Sequence, residues 1–220
     1  MKTKIIAKNK SHLLFLIQKE IKYNGNNCDL NHINVSNMTN MSFLFHNSHF
    51  NGNINQWDVS SVTNMGWMFE GAGFNGDISN WNVSKVHSTK GMFYNSVFNQ
   101  NISNWDVSSV LDMSAMFYNS AFNNNISNWN INHVDNMAYM FYQSAFNQNI
   151  DAWTPKKLKD KTGIFDGSSL EVENNLPYWA SVNIESLEQA INAHELQKKL
   201  NQQILLVPSK NHKILPTIKL

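Results

Sequence analysis

Large apolar residues recur along this chain every 24 positions, separated by stretches rich in asparagine and serine. Two of these apolar series are aromatic: Phe50, Phe74, Phe98, Phe122 and Phe146, and Trp57, Trp81, Trp105, Trp129 and Trp153. A repeat of this length is typical of a solenoid, because one unit cannot bury its own apolar side and needs neighbours stacked on both faces. We therefore expect both series to form columns of rings in the structural core.

The repeat predicts three regions along the chain. Five full units begin at the residues of the Phe50 series, and a degraded copy from residue 26 to residue 49 precedes them. In that copy Ile33 stands where tryptophan would be, as expected for a terminal unit with one neighbour. The predicted regions are an N-terminal capping helix at 1–25, a repeat solenoid at 26–170, and a C-terminal cap helix and tail at 171–220.

Each unit carries the pattern of a short strand followed by a short helix. In the first full unit the alternation of apolar and polar residues predicts a strand at residues 56–59. Ser60 is a good helix N-cap, and the spacing of Val62, Met65 and Phe69 predicts about two turns of amphipathic helix. The expected fold is an α/β solenoid, a right-handed stack of short parallel strands and short helices with helical caps at both ends.

An asparagine follows each phenylalanine of the Phe50 series, and these residues are Asn51, Asn75, Asn99, Asn123 and Asn147. A side-chain amide at this place can bond backbone groups of the neighbouring coil, so we favour an asparagine ladder over ordinary turn asparagines. Two residues break the regular pattern. Thr89 replaces the methionine of its series, and Pro155 occupies the Val59 position of the last copy, where proline suits the edge of the array.

A helix is predicted near the N-terminus. Ser11 is a candidate N-cap and Gly25 is a stop signal. The apolar face of this helix should cover the first coil and comprises Leu14, Ile17 and Ile21.

A second helix is predicted near the C-terminus. Ser186 with Gln189 resembles a capping box for a helix that continues to about Gln203. Its apolar face should lie on the last coil and comprises Leu187, Ile191, Leu196 and Leu200. The tail at 204–220 is broken by two prolines, so it is either an extended segment laid on the body or partly mobile.

The overall charge points to no class of partner. Seventeen basic and sixteen acidic residues leave a net charge of +1, which gives no global attraction to nucleic acid or to an acidic membrane surface. Nucleic-acid binding is not expected, because Lys156, Lys157, Lys159 and Lys161 near the last coil form no basic stripe.

The sequence also gives an expectation for location. No segment reaches the length of a transmembrane span, and the apolar run at 13–17 is too short for a signal peptide. The single cysteine, Cys28, excludes an intramolecular disulfide and lacks the context of a lipid-modified cysteine. We expect a cytoplasmic protein without membrane insertion.

No catalytic or metal-binding constellation stands out from the repeat. His46 and His49 are three positions apart, but no acidic or cysteine partner completes a metal set. Asp77 lies in a Gly-Asp turn, yet the other copies have asparagine there, and a row of neutral amides binds calcium poorly. We expect no catalytic residues, no metal and no cofactor. The alternative, an enzyme site in the C-terminal segment, would use Glu185, Glu188, His194 and Glu195.

The residues that differ between copies suggest a binding surface instead. On the predicted helices, the positions away from the core include aromatic and apolar side chains, and the spacing of three and four residues places them on one outward face. The candidate protein-binding residues are Trp67, Tyr94, Leu111, Tyr118, Tyr139 and Tyr142. Exposed aromatic residues are enriched in binding hot spots. The alternative is that the tyrosines pack along the stack and only shield the core.

The repeat motif resembles that of the BspA-like leucine-rich repeat proteins of bacteria, whose units carry the signature W-[DN]-[VT]-S-x-V-x-[DN]-M-x-x-M-F. Residues 57–69, "WDVSSVTNMGWMF", match it closely, and residues 81–93, 105–117 and 129–141 match with small changes. The resemblance covers roughly residues 30–170. It implies a leucine-rich-repeat-like solenoid without catalytic residues, in a family associated with the cell surface and with adhesion.

Two versions of a protein-binding scaffold follow from this resemblance. In the first, the chain is a surface protein of the adhesion type, as the family implies. In the second, it stays in the cytosol and binds a protein partner, as a toxin-neutralising immunity protein or an adaptor does; the missing export signal favours this version.

Overall fold

The computed structural model describes residues 4–206 and contains few regular elements. In chain order they are β1 (Ile5–Ile6), α1 (Lys10–Asn24), β2 (Ile33–Asn34), α2 (Ser169–Val172), a 3₁₀ helix (Ile184–Ser186) and α3 (Leu187–Leu206). The two strands pair in parallel, with Ile5 opposite Ile33 and Ile6 opposite Asn34. The repeat body between β2 and α2 consists of turns and isolated bridges.

Successive units of the body lie side by side in a fixed register. Parallel bridges join residues that are one repeat apart, and they run Asn40–Asn64, Asn64–Ser88, Ser88–Asp112, Asp112–Asn136 and Asn136–Asp160. The buried rings follow the same step. From Phe50 to Phe146, neighbouring ring centres are 6.1 to 6.3 Å apart and the ring planes lie within 6° of parallel. Trp129 and Trp153 stack at 6.5 Å.

The predicted strand at 56–59 is not formed. The Trp57 N–H donates to the Ile54 carbonyl, and the Val62 N–H donates to the Val59 carbonyl, so two tight turns occupy this stretch. The Asp58 carboxylate accepts the Ser60 N–H at 3.0 Å and completes the bend. Local bonds of this kind compete with a strand ladder for the same backbone groups.

The predicted helix over residues 62–69 is also wrong. The Met68 N–H donates to the Met65 carbonyl, and the Glu70 N–H donates to the Trp67 carbonyl, as in consecutive turns. The intervening N–H groups of Met65, Trp67 and Phe69 donate to the next unit instead. Trp67 has a φ of 59°, which ends any α-helix. Hydrogen bonds between units therefore use the N–H groups that an α-helix would need for its own hydrogen bonds.

The asparagine ladder is confirmed. The Asn75 N–H donates to the Asn51 side-chain oxygen at 2.8 Å, and the same bond joins Asn99 to Asn75. It recurs in the next two units at 2.9 and 2.8 Å. A row of polar side chains therefore links the units on the outside, beside the buried phenylalanine column.

The core tryptophans combine ring packing with a hydrogen bond. Trp57, Trp81, Trp105, Trp129 and Trp153 are each buried, and each indole N–H donates to a carbonyl 27 residues earlier, at 3.0 to 3.2 Å. A buried indole N–H without such a partner would lose the free energy of its hydration. The repeat supplies that partner at every step.

The N-terminal helix is confirmed, with a different start. Asn9 rather than Ser11 is the N-cap, and its side-chain oxygen accepts the His12 N–H at 2.9 Å. Gly25 ends the helix with a φ of 78°, a conformation that suits glycine. The buried residues of α1 are Leu13, Leu16 and Ile17; the predicted Leu14 and Ile21 are partly buried against the same cluster.

The C-terminal helix α3 also forms, but less of its predicted face is buried. Asn183 caps the preceding 3₁₀ helix, so the expected capping box at Ser186 is wrong. Leu187 and Ile191 are buried, whereas Leu196 is 68% exposed and Leu200 is 49% exposed. The prediction that these two leucines lie on the last coil is therefore wrong. The predicted C-terminal tail falls mostly on residues 207–220, outside the described residues.

Candidate partner-binding surface

Five of the six predicted contact residues come together in one line of rings, which we call the aromatic row: Trp67, Tyr94, Tyr118, Tyr142 and Tyr139. Ring centres are 5.5 Å apart from Trp67 to Tyr94, 4.4 Å from Tyr94 to Tyr118, and 4.7 Å from Tyr118 to Tyr142. Tyr139 meets Tyr142 edge-on at 5.8 Å. The row thus crosses four successive units.

In the aromatic row, ring edges and hydroxyl groups are exposed to solvent, whereas the ring faces are mostly covered. Tyr94, Tyr118 and Tyr142 are half-buried and lie nearly parallel, with angles of 13° and 16° between their planes, so each uses its faces on its neighbours. Tyr139 is 42% exposed. Desolvation, together with the neighbouring Tyr94, raises the pKa of the Tyr118 hydroxyl, a group that can donate a hydrogen bond to a partner.

Two glycines make room for the largest outward rings. Gly91 and Gly163 both have a φ of 58°. A Cβ atom on Gly91 would overlap the Trp67 ring, and one on Gly163 would overlap the Tyr139 ring. Each ring can therefore lean over the next unit because that unit has no side chain at the same turn position.

Leu111 lies outside this row. It is 44% exposed and belongs to the series that contains Thr63, His87 and Asp135. Its N–H donates to the His87 carbonyl at 2.9 Å, and its own carbonyl accepts the Asp135 N–H at 2.8 Å. Helical spacing predicts Leu111 on the same face as the tyrosines, and this spacing does not apply because the segment forms turns.

Phe43 extends the row toward the N-terminus and was missed. Its ring stacks on Trp67 at 6.3 Å, and it is 50% exposed. The sequence did carry a signal, because Phe43 stands one repeat before Trp67.

The flanks of the row are neutral in the middle and charged at one end. Beside the central tyrosines, the Asn119 amide donates to the Asn95 side-chain oxygen at 2.9 Å. At one end Glu70 lies 2.8 Å from a ring nitrogen of His46. A partner that covers the middle of the row therefore meets rings, hydroxyls and amides without desolvating a charge.

Residues 4–206 contain no group of three or more His, Cys, Asp or Glu residues that could hold a metal ion.

The candidate enzyme residues of the C-terminal segment make other contacts. The Glu195 carboxylate lies 3.4 Å from the Lys156 ammonium group, and the His194 ring stacks on Tyr178 with centres 3.8 Å apart. Burial, with Glu195 and Asp151 nearby, raises the pKa of the Tyr178 hydroxyl. Glu185 lies in the 3₁₀ helix and Glu188 lies in the first turn of α3, and both are exposed.

The helices among the described residues include none that is long and apolar enough to cross a membrane.

Comparison with known families gives one result. The family model described as "Mycoplasma protein of unknown function, DUF285" matches residues 15–121 and, in a second overlapping match, residues 95–204. Searches of curated proteins and of solved structures found no match. The two matches together span most of the chain and include the whole repeat body with its aromatic row. The chain belongs to the DUF285 family of Mycoplasma proteins.

Proposed function

We propose that this protein is a non-catalytic protein-binding scaffold and that the aromatic row is its contact surface. The observation that carries the proposal is the continuous line of partly exposed rings across four units, set among neutral amides. Tyrosine and tryptophan are enriched at the centre of protein interfaces, where they bury large areas and keep a polar group for hydrogen bonding.

We further propose that the stacked units form a leucine-rich-repeat-like solenoid related to the BspA-like proteins. The W-D-V-S-x-V-x-x-M-x-x-M-F motif and the bridges one repeat apart support this relationship. By this analogy the protein binds another protein in adhesion at the cell surface. Cell fractionation tests this location: recovery of the protein only in the soluble cytosolic fraction would replace adhesion by an intracellular role, as an immunity protein or an adaptor.

The competing interpretation is that the tyrosines only shield the core. It draws on the same geometry, since Tyr94, Tyr118 and Tyr142 use their faces on one another. The two interpretations differ in what a substitution changes. Removal of a shielding ring lowers the stability of the fold, whereas removal of a contact ring lowers the affinity for a partner.

The test begins with an affinity pull-down from native cells, followed by measurement of the dissociation constant for the partner found. We expect Tyr118→Ser with Tyr142→Ser to weaken binding at least about 30-fold, the effect of losing a hot spot. Leu196→Ser on α3 is the control, because Leu196 is a large apolar residue, 68% exposed, that lies outside the row. Unchanged affinity in a folded double variant would leave the row as a shield.

A further inference from the structure

The charge of the molecule is unevenly distributed, although the whole chain is nearly neutral. Residues 4–25, which include α1, carry five lysines and one acidic residue, Glu20. Residues 26–155 carry two lysines and eight acidic residues. The N-terminal cap is therefore cationic and the body up to residue 155 is anionic, so an anionic surface would be attracted to the cap and repelled by this part of the body.

The outer face of α1 combines these charges with exposed rings. Leu13, Leu16 and Ile17 are buried against the first unit. On the other side of the helix, Phe15 is 60% exposed and Tyr23 is 72% exposed. Buried and exposed apolar residues thus occupy two faces of one helix, and the fold accounts only for the buried face.

Two lysines lie between the exposed rings, and we call Phe15, Lys19, Lys22 and Tyr23 the outer stripe. Together with Gln18 they line a shallow depression of about 300 Å³. The Lys22 ammonium group lies 5.8 Å from the centre of the Tyr23 ring. The single acidic residue of the cap is engaged on the body side, since the Glu20 carboxylate lies 3.4 Å from His32 of the first unit and accepts a hydrogen bond from Asn24 at 2.9 Å.

We propose that the outer stripe binds the surface of bilayers that contain anionic phospholipids. Phe15 and Tyr23 enter the headgroup layer, where aromatic rings are favoured, and Lys19 and Lys22 meet the lipid phosphates. The two exposed rings flank a shallow depression on an outer helix, which a deformable lipid surface can follow, whereas a protein partner gains most from rings that fill a preformed pocket. This inference uses a different surface from the aromatic row and does not depend on the proposed protein-binding function.

The test is co-sedimentation of the full chain with vesicles of phosphatidylcholine alone and with vesicles that also contain 30% phosphatidylglycerol, a composition chosen as roughly that of an anionic leaflet. We expect binding to the anionic vesicles only, weakened by salt because the attraction is electrostatic. Replacing both lysines, K19Q with K22Q, should lower the partition coefficient about 30-fold, since each lysine near an anionic surface contributes about five-fold.

Two further variants separate a bilayer site from a general attraction between opposite charges. Phe15→Ser should lower the partition coefficient about ten-fold, because the ring loses its burial in the headgroup layer. K198Q with K199Q removes the same charge from exposed positions on α3 and should leave binding unchanged. Equal loss in the α1 and α3 double variants would overturn the proposal. Full binding by Phe15→Ser would also overturn it, and would point to an acidic protein as the partner of the cap.

Discussion

The repeat body and the C-terminal cap stack the same kinds of ring, but they differ in how their buried polar groups are satisfied. In the body, the Trp153 indole N–H donates to the Ile126 carbonyl at 3.1 Å. Trp179 continues the column, with its ring centre 6.5 Å from that of Trp153, and it is fully buried. Its indole N–H nevertheless finds no hydrogen-bond partner within residues 4–206.

Two neighbouring groups of the cap share this property. The Tyr178 hydroxyl and the His194 Nε2 atom are buried without a hydrogen-bond partner in the described part of the chain. A buried polar group without a partner costs about 1 to 3 kcal/mol. Rings can stack wherever an aromatic residue lies one step further along the column. The indole hydrogen bond also needs its carbonyl acceptor in register with the N–H group. The fixed repeat provides that register, and the cap has lost it.

The largest effect should come from removing a ring in the middle of a body column. Phe117 is fully buried, with Phe93 and Phe141 stacked on either side at 5.8 and 5.7 Å. Phe117→Ala should lower the free energy of unfolding by about 3 to 5 kcal/mol through lost burial and the cavity left behind. Denaturant unfolding, monitored by tryptophan fluorescence, measures this change in the free energy of unfolding.

Leu200→Ala at the cap is the comparison, because half of this side chain is already exposed. It should change the free energy of unfolding by less than about 0.5 kcal/mol. Equal losses in the two variants would mean that α3 packs on the body more extensively than its exposed leucines indicate.

The second test isolates the indole hydrogen bond. Trp105→Phe keeps a ring in the column but removes the donor to the Ile78 carbonyl, a bond of 3.1 Å. Trp179→Phe makes the same change where no bond exists and removes an unsatisfied N–H. We expect Trp105→Phe to cost about 1 to 2 kcal/mol more than Trp179→Phe.

Thermal unfolding of both variants at one pH gives the comparison. Identical losses would show that the hydrogen bonds of the body contribute nothing beyond ring packing, and the contrast between body and cap would then lie in packing alone.

The core of the fold could be predicted from the sequence, because burial depends on the repeat period and not on the local backbone. Trp81 and Phe98 are in the interior whether their unit contains a strand, a helix or turns. The element types could not be predicted in the same way. Met65, Met68 and Phe69 are all buried, as a helix would have them, yet their segment turns at Trp67 because alternate N–H groups bond the next unit.

On the candidate surface too, the sequence predicts what depends on the repeat period and not what depends on the local backbone. Tyr94, Tyr118 and Tyr142 recur at one position of the repeat, so their alignment follows from the period alone. The link between Leu111 and these tyrosines assumed a helix of 3.6 residues per turn, which does not form in this segment. The uneven charge of the cap was present in the sequence but was hidden by a net charge of +1.

The third test concerns Thr89, a residue of the body whose buried polar group lacks a hydrogen-bond partner in the described chain, as those of the cap do. Thr89 replaces a methionine of its series, it is 1% exposed, and its hydroxyl has no hydrogen-bond partner in the described chain. Thr89→Val should raise the free energy of unfolding by about 1 kcal/mol, because it removes a buried, unsatisfied hydroxyl. Thr89→Met should raise it at least as much, because it also restores the methionine column.

Thr63→Val is the control, since the Thr63 hydroxyl does have an acceptor, the Thr39 carbonyl at 3.2 Å. Thr63→Val should therefore not raise the free energy of unfolding. A loss of stability in Thr89→Met, measured by denaturant unfolding, would show instead that the column has closed around the shorter side chain.

The smallest effect concerns the turns on the outside of the body, which alternate between Asp and Asn. The Ser60 hydroxyl donates to the Asp58 carboxylate at 2.6 Å, and the Ser84 hydroxyl donates to the Asn82 side-chain oxygen at 2.7 Å. Hydrogen bonds from the Ser60 hydroxyl and N–H lower the pKa of Asp58. A lowered folded-state pKa stabilises the fold above the unfolded-state value of about 4, and that contribution is lost as the pH falls through the folded-state pKa.

Ser60→Ala should therefore reduce stability slightly at neutral pH, and the difference from the wild type should vanish in acid as Asp58 becomes protonated. Ser84→Ala removes the same bond from a neutral acceptor, so its small effect should not depend on pH in this range. Thermal unfolding from pH 7 to pH 2 and an NMR titration of Asp58 measure both effects. A pH-independent difference in Ser60→Ala would mean that the outer turns act through geometry alone, and that the body owes its regularity to the buried columns and the indole bonds.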